Sequence, residues 1–254
     1  MATDKIGSRM ITTVAEHVFD SSQTRRVWQY RSISADRKRM DISAILTEIS
    51  SYGGFFALTV GGDAAGWHPV VQSYADGYAD LIEATVKRYR TTELRVGTSL
   101  VHLGHAARLW SPVLACVLGH GVVPDLTELQ RADHGAQLRL PEPVGEPVSP
   151  SPELLYRMVV QDHMEPFAAG LRVTLAPGLL YGNIASALVG ASQALLAARP
   201  DLRRPIVEIT NDLLGTSCLA GSGVITSDGL DFNRRSCCLF YRIPGGGKCG
   251  DCPL

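Results

Sequence analysis

Residues 234–254 read Arg-Arg-Ser-Cys-Cys-Leu-Phe-Tyr-Arg-Ile-Pro-Gly-Gly-Gly-Lys-Cys-Gly-Asp-Cys-Pro-Leu. The stretch holds four of the chain's six cysteines: vicinal Cys237 and Cys238, ten residues, then Cys249 and Cys252 in a Cys-x-x-Cys hook. Four thiolates are a full ligand set for one metal centre. The hook is common, because two intervening residues let the backbone turn so that both sulfurs meet a metal. The vicinal pair is not. Neighbouring side chains of an extended strand point to opposite faces, so Cys237 and Cys238 can serve one centre only from a turn or irregular backbone. Gly245, Gly246 and Gly247 give the intervening loop the freedom to return.

Three chemistries use such a set. Four thiolates can hold structural zinc, although zinc ribbons typically pair two Cys-x-x-Cys hooks and here one hook is vicinal. Disulfides need an oxidising compartment, and Met1 to Asp20 has no continuous apolar core to act as a secretion signal. A vicinal disulfide would also be strained. An iron–sulfur cluster is the third, with a spacing that is neither the bacterial nor the plant-type ferredoxin pattern. Arg234, Arg235, Arg242 and Lys248 flank the cysteines and could offset the negative charge of a cluster or dock an acidic electron donor; as plain surface charges they would do neither.

Arg234 to Arg242 followed by Gly-Gly-Gly-Lys248-Cys249-Gly250-Asp251-Cys252-Pro253 resembles the C-terminal signature of the FhuF-type ferric-siderophore reductases. The resemblance implies that Cys237, Cys238, Cys249 and Cys252 bind a [2Fe–2S] cluster. A looser similarity to the family's central helical segment runs through His163, Pro166 and Leu180 to Ala185, including Tyr181 and Asn183. That segment is also similar to part of the carrier-independent siderophore synthetases, which are much longer. The implied activity is one-electron reduction of Fe(III) in a siderophore, a hydroxamate or related chelate. Hard oxygen donors hold Fe(II) more weakly than Fe(III), so reduction loosens the chelate. The alternatives are a noncatalytic zinc protein and a siderophore-binding or redox-sensing iron–sulfur protein.

Working outward, 254 residues can bury a substantial core. Charged residues are 19% and apolar ones 45%, with Ala and Leu prominent, which favours helices. A net charge of −1 gives no reason to expect nucleic acid as a partner. The adjacent Arg25-Arg26 is followed by further charges and not by the apolar stretch of an export signal. Val96 to Leu118 is apolar, but His102, His105, Arg108 and Pro112 interrupt it. It reads as two buried helices, the second starting at Ser111-Pro112, and no transmembrane segment is expected. The expected location is cytoplasmic.

The fold class expected is α+β and helix-dominated. A mixed N-terminal region spans 1–140, a Pro-rich loop 141–152, a helical region 153–236, and the cluster-binding tail 237–254; together they can form one compact domain. Helical spacing marks Thr13 to Asp20, Asp41 to Ser51, Ser73 to Tyr89, Glu153 to Met164, Asn183 to Ala198 and Pro205 to Leu214. Phe55 to Val60 and the alternation around Gln137 to Leu140 suggest strands. Five of the fourteen prolines, from Pro141 to Pro152, argue for the loop.

His102 and His105 are spaced to share a metal, yet no third ligand is apparent and a core role is the simpler reading. Cys116 and Cys218 read as buried, inert thiols, and Asn183 after Gly182 as a helix cap. Trp110, Tyr181, Phe240 and Tyr241 read as packing, with Leu239, Phe240, Tyr241 and Ile243 suited to anchor the tail by burial. The run Gly61-Gly62-Asp63-Ala64-Ala65-Gly66 lacks the second glycine of a dinucleotide fingerprint, and there is no Walker-type loop. No internal nicotinamide or ATP site is therefore expected. Electrons would come from an external donor such as a ferredoxin or flavin-dependent reductase.

Overall fold

Leu94 to His120 carries an almost unbroken set of apolar and small residues, and such a segment is stable only when neighbours cover most of its circumference. The computed structural model describes residues 39–254; the helix expected at Thr13 to Asp20 and the Arg25-Arg26 pair lie outside them. Short elements come first: β1 (Met40–Asp41), α1 (Ser43–Ile49), β2 (Thr59–Val60), β3 (Trp67–Pro69), α2 (Val70–Ala75) and α3 (Ala79–Arg88). The central helix α4 (Leu94–His120) leads to β4 (Val122–Pro124), β5 (Gln130–Ala132), β6 (Leu138–Leu140) and β7 (Val144–Pro147). Helices then dominate: α5 (Pro152–Tyr156), a π-helical stretch (Arg157–Met164), α6 (Glu165–Gly170), α7 (Pro177–Ala198) and α8 (Arg203–Leu214). A hairpin of β8 (Gly223–Ile225) and β9 (Phe232–Arg234) delivers the chain to the tail. The α+β, helix-dominated class is as expected, with a mixed first half and a helical second half.

Helices α4 and α7 form the central pair, and their buried faces belong to one continuous hydrophobic core that also takes in α1, α8 and the π-helical stretch. Trp110, Leu109, Val113 and Leu114 of α4 and Ile184, Leu188 and Leu195 of α7 are almost wholly buried. Among the described residues α7 is the one helix long and apolar enough to cross a membrane, and 61% of its apolar window is buried inside the protein. It is a core helix.

Several local expectations change. The two helices expected across Val96 to Leu118 are one, with Pro112 inside it. Proline removes an N–H from the helix, and burial on both sides of Pro112 compensates for that loss. Conversely, the single amphipathic segment Ser73 to Tyr89 is broken. Gly77 at φ 66° and Tyr78 at φ 54° turn the chain between α2 and α3. That turn fits a close backbone crossing: a Cβ on Gly170, at the end of α6, would stand 1.7 Å from the Tyr74 carbonyl oxygen. Only Thr59 and Val60 of the Phe55 to Val60 run form a strand.

Residues 141–152 are not loop throughout. Their middle forms β7, the central strand of the sheet β1-β7-β4, with Gly145 opposite both Met40 and Pro124. The prolines bracket the strand: Pro141 and Pro143 precede it and Pro147 is its last residue, so the ladder loses little. The second sheet has the order β2-β6-β5-β3, in which β2 and β6 run parallel. It supports Arg139, whose guanidinium donates to the carbonyl oxygens of Gly61 and Gly62. The glycine run is therefore a bonded bend between β2 and β3 with no helix directly after it, unlike a phosphate-binding turn.

Beneath α2, α3 and α6 lies a buried polar group. The Tyr74 hydroxyl bridges His105 Nε2 at 2.9 Å and His163 Nδ1 at 2.8 Å, and the Tyr78 hydroxyl stands 3.1 Å from His105 Nδ1. Phe167 stacks on both tyrosines and lies against His102, whose two ring nitrogens are buried without a partner. Burial pushes His102 down to about 3 and His163 to about 4; it holds His105 well below the usual imidazole value, helped by the two neighbouring histidines. These imidazoles stay neutral in the folded protein, while in the unfolded chain they take up protons below about pH 6.5. Stability from this group is thus complete above that pH and falls as pH drops from there toward about 4. Each histidine removes roughly 1.4 kcal/mol per pH unit well inside that window. Chemical denaturation at pH 7.5 and 5.5 should show the folded state weaker at the lower pH by on the order of 4 kcal/mol. Equal stability at the two values would rule out neutral burial.

Candidate metal centre in the C-terminal tail

The vicinal cysteines sit at the turn that their spacing demands. Leu239, directly after Cys238, adopts the left-handed region at φ 69°, and its N–H donates to Cys237 Sγ at 3.3 Å. A short 3-10 turn (Phe240–Arg242) follows, and Gly245 at φ 72° turns the chain back toward the hook. Gly246 is required there, since a Cβ would lie 2.5 Å from the Phe240 carbonyl oxygen. The return brings Cys249 Sγ to 3.5 Å from Cys238 Sγ. In the hook itself the Cys252 N–H donates to the Cys249 carbonyl at 3.1 Å.

All four tail cysteines are free thiols; Cys238 is buried and the other three are half-buried. Burial raises the thiol pKa of Cys237, with the neighbouring cysteines adding to it, while the Leu239 N–H and Arg234 oppose it. Burial is also the largest cause of a raised pKa at Cys249, followed by Asp251 and Cys238. Binding at these sulfurs therefore releases protons and strengthens with pH. No three described His, Cys, Asp or Glu side chains converge on a single ion.

Behind the cysteines lies a buried hydrogen-bonded junction. Arg234, the last residue of β9, is 2% exposed, and its Nη2 donates to Asn183 Oδ1 at 2.6 Å. Asn183 Nδ2 in turn donates to the Ser99 carbonyl at 3.0 Å and lies 3.1 Å from Ser99 Oγ. Ser99 Oγ donates to the Cys238 carbonyl at 2.7 Å. Asn183 is no helix cap: α7 begins at Pro177, and Asn183 is an interior, fully buried residue. Arg234 Nε and Nη1 and Ser236 Oγ are buried with no partner; both residues are close to Cys237 in sequence, and Arg234 acts electrostatically on its thiol.

The other flagged residues separate. Arg242 is paired with Glu93 at 2.8 Å, and Lys248 Nζ donates to the Leu254 carbonyl oxygen. Arg235 is exposed, and Tyr181 is half-buried. His163 belongs to the buried tyrosine–histidine group and makes no bond to the tail. Cys116 is buried, its thiol pushed up to about 12, but Cys218 is exposed, against expectation. It is the middle residue of the one-turn helix Ser217–Leu219, too short to bury both faces. Of the proposed anchors, Ile243 is buried and Phe240 packs edge-on against Tyr89, whereas Tyr241 is 44% exposed. Ser99 was not legible as a site residue: one serine in an apolar helix carries no signal until α4 meets the tail.

Gly182 is the tightest point between α7 and the tail. A Cβ there would stand 2.0 Å from Ser236 Oγ and 3.2 Å from Arg234 Nη2. Gly182→Ala should therefore displace the residues leading into Cys237 and cut iron and sulfide content to less than about half. Adding Ser236→Gly should restore it. Full content in the single variant, or no rescue in the double, would show that this contact does not position the ligands.

Residues 234–254 match a family model described as the FhuF 2Fe-2S C-terminal domain. No curated protein and no solved structure matches the chain. The tail's own chemistry fits the cofactor that this model carries: four thiols in a glycine-bearing loop, one sulfur already accepting a backbone N–H, and unpartnered buried donors on Arg234 and Ser236 suited to an anionic neighbour. The chain thus ends in a segment of the FhuF type whose cofactor is a [2Fe–2S] cluster.

Proposed function

We infer that the protein is a ferric-siderophore reductase of the cytoplasm, releasing Fe(II) for the cell from chelated Fe(III). The observation that carries this reading is the shallow placement of a FhuF-type [2Fe–2S] segment: three of its four cysteines are half-buried at the protein surface. A ferric siderophore is too bulky to enter a closed core, so a centre that reduces it has to lie near the surface. When bound, the cluster supplies a one-electron carrier. The protein's own residues do the rest. Cys237, Cys238, Cys249 and Cys252 hold the cofactor, and Arg234, kept in place by Asn183, brings a fixed positive charge to it. That charge favours the reduced, more negative state. The substrate is ferric iron held by hard oxygen donors, hydroxamate or catecholate, whose grip weakens once the metal becomes Fe(II).

An external donor such as a ferredoxin or flavin-dependent reductase fits a chain with no recognisable nucleotide loop. Arg235, exposed and without an ion pair among the described residues, is a charge available to an incoming molecule. Arg242 and Lys248 are already engaged within the protein.

The test is anaerobic isolation from iron-replete cells, metal and sulfide analysis, chemical reduction, and stopped-flow mixing with ferric siderophores in the presence of a ferrous trap. Equal amounts of iron and sulfide, and one trapped Fe(II) per reduced cluster within a single turnover, are expected. Stoichiometric zinc would end the reading, and so would a reduced cluster that ferric chelates fail to oxidise. Cys252→Ser should lose most of the visible absorption while retaining helical circular dichroism, because α4 and α7 pack without the hook.

A further inference from the structure

Beside the cysteines, the protein surface holds a cavity of about 240 Å³ lined by Tyr181, Cys218, Gly221, Ser222, Arg235 and Ser236. Ser236 is joined by a peptide bond to Cys237, so a molecule in this cavity sits next to the ligand set. The wall is assembled from distant parts of the chain: α7 gives Tyr181, the segment before β8 gives Cys218 to Ser222, and the strand leading to the tail gives Arg235. Two features set its chemistry. No carboxylate lines it, and its one permanent charge is Arg235, which has no ion-pair partner among the described residues. The backbone N–H of Arg235 donates to the Ser222 carbonyl at 2.8 Å, and the side-chain Nη1 lies near Gly221, which places the guanidinium at the cavity wall.

We propose that this cavity is the seat of the electron acceptor and that it selects an anionic catecholate chelate through Arg235 and Tyr181. The proposal rests on the reductase reading and names its substrate class. A ferric tris-catecholate carries net negative charge and presents phenolate oxygens, matched by a free guanidinium. Its flat aryl arms suit an aromatic wall such as Tyr181. A neutral trihydroxamate gains little from the guanidinium. The volume is below the roughly 300–1,000 Å³ of pockets that enclose whole ligands, so the cavity takes one arm of the chelate and leaves the remainder outside. The larger cavity, about 590 Å³, is a poor competitor for an anion. Asp76, Asp80 and Asp133 line it, and its Arg131 is already paired with Asp80 at 2.7 Å.

Gallium(III) chelates test binding apart from electron transfer, because Ga(III) is not reduced under these conditions. Titration of the holoprotein with a Ga(III) tris-catecholate and with a neutral Ga(III) trihydroxamate should give a Kd at least about tenfold lower for the anion. Arg235→Glu should remove that preference by weakening the tris-catecholate about tenfold or more, with a much smaller change for the trihydroxamate. Arg235→Gln, with iron and sulfide content as a loading control, gives a milder form of the same result if the charge reversal lowers cluster content. Tyr181→Leu should weaken the tris-catecholate as well. An unchanged tris-catecholate Kd in the Arg235 variants, or equal affinity of the wild type for both chelates, would overturn the proposal. A tris-catecholate that binds through Arg235 as Ga(III) yet is not reduced as Fe(III) would support the seat and refute the reductase reading, so the two failures are distinguishable.

Discussion

Arg234 is a permanently charged side chain placed almost wholly out of solvent, and among the described residues no carboxylate pairs with it. Removing a charge from water costs several kcal/mol unless something compensates. Asn183 Oδ1 offers one strong acceptor, and two further nitrogens of the guanidinium are buried with no partner. An anionic cluster is the compensation that this arrangement lacks in the polypeptide alone. A bound anionic cluster would couple cofactor and protein energetically: it would offset the buried charge, and the buried charge would favour its reduced state.

The same junction explains how a tail of irregular backbone is held in one place. Ser99 on α4, Asn183 on α7 and Arg234 on β9 bond in sequence, and Ser99 passes the connection to the Cys238 carbonyl. Two core helices and a hairpin therefore meet at one cysteine. Each bond lies in a low-dielectric interior, where a missing partner is costly, so the geometry is specified more tightly than exposed contacts could achieve. The ion pair of Arg242 with Glu93 at the rim is half-exposed and adds little by comparison.

A second buried polar group, around Tyr74, His105 and His163, lies elsewhere on α4 and follows different rules. It contains no permanent charge, its imidazoles remain neutral, and hydroxyl–imidazole bonds satisfy most of its atoms. His102 and His105 thus take the core role suggested by the lack of a third ligand. Their spacing on the helix puts them side by side, and His163 joins them through the Tyr74 hydroxyl, but no three described ligand side chains converge on one ion.

The sequence by itself determined the ligand chemistry and the balance of helix and strand. Cysteine spacing is a local property, because loop length and glycine content decide whether sulfurs can meet. Apolar periodicity likewise marks α8 and the end of α7, although α7 starts at Pro177, well before the expected Asn183. Tertiary structure alone decided what depends on long-range partners: that α4 continues through Pro112, that Gly77 and Tyr78 break α2 from α3, that β7 forms among prolines, and that Cys218 faces solvent. It also selected, from four flanking cations, Arg234 as the buried one and Arg235 as the free one. Residue type gives each of them the same charge, and only burial and the position of Asn183, Glu93 and Ser222 distinguish their roles.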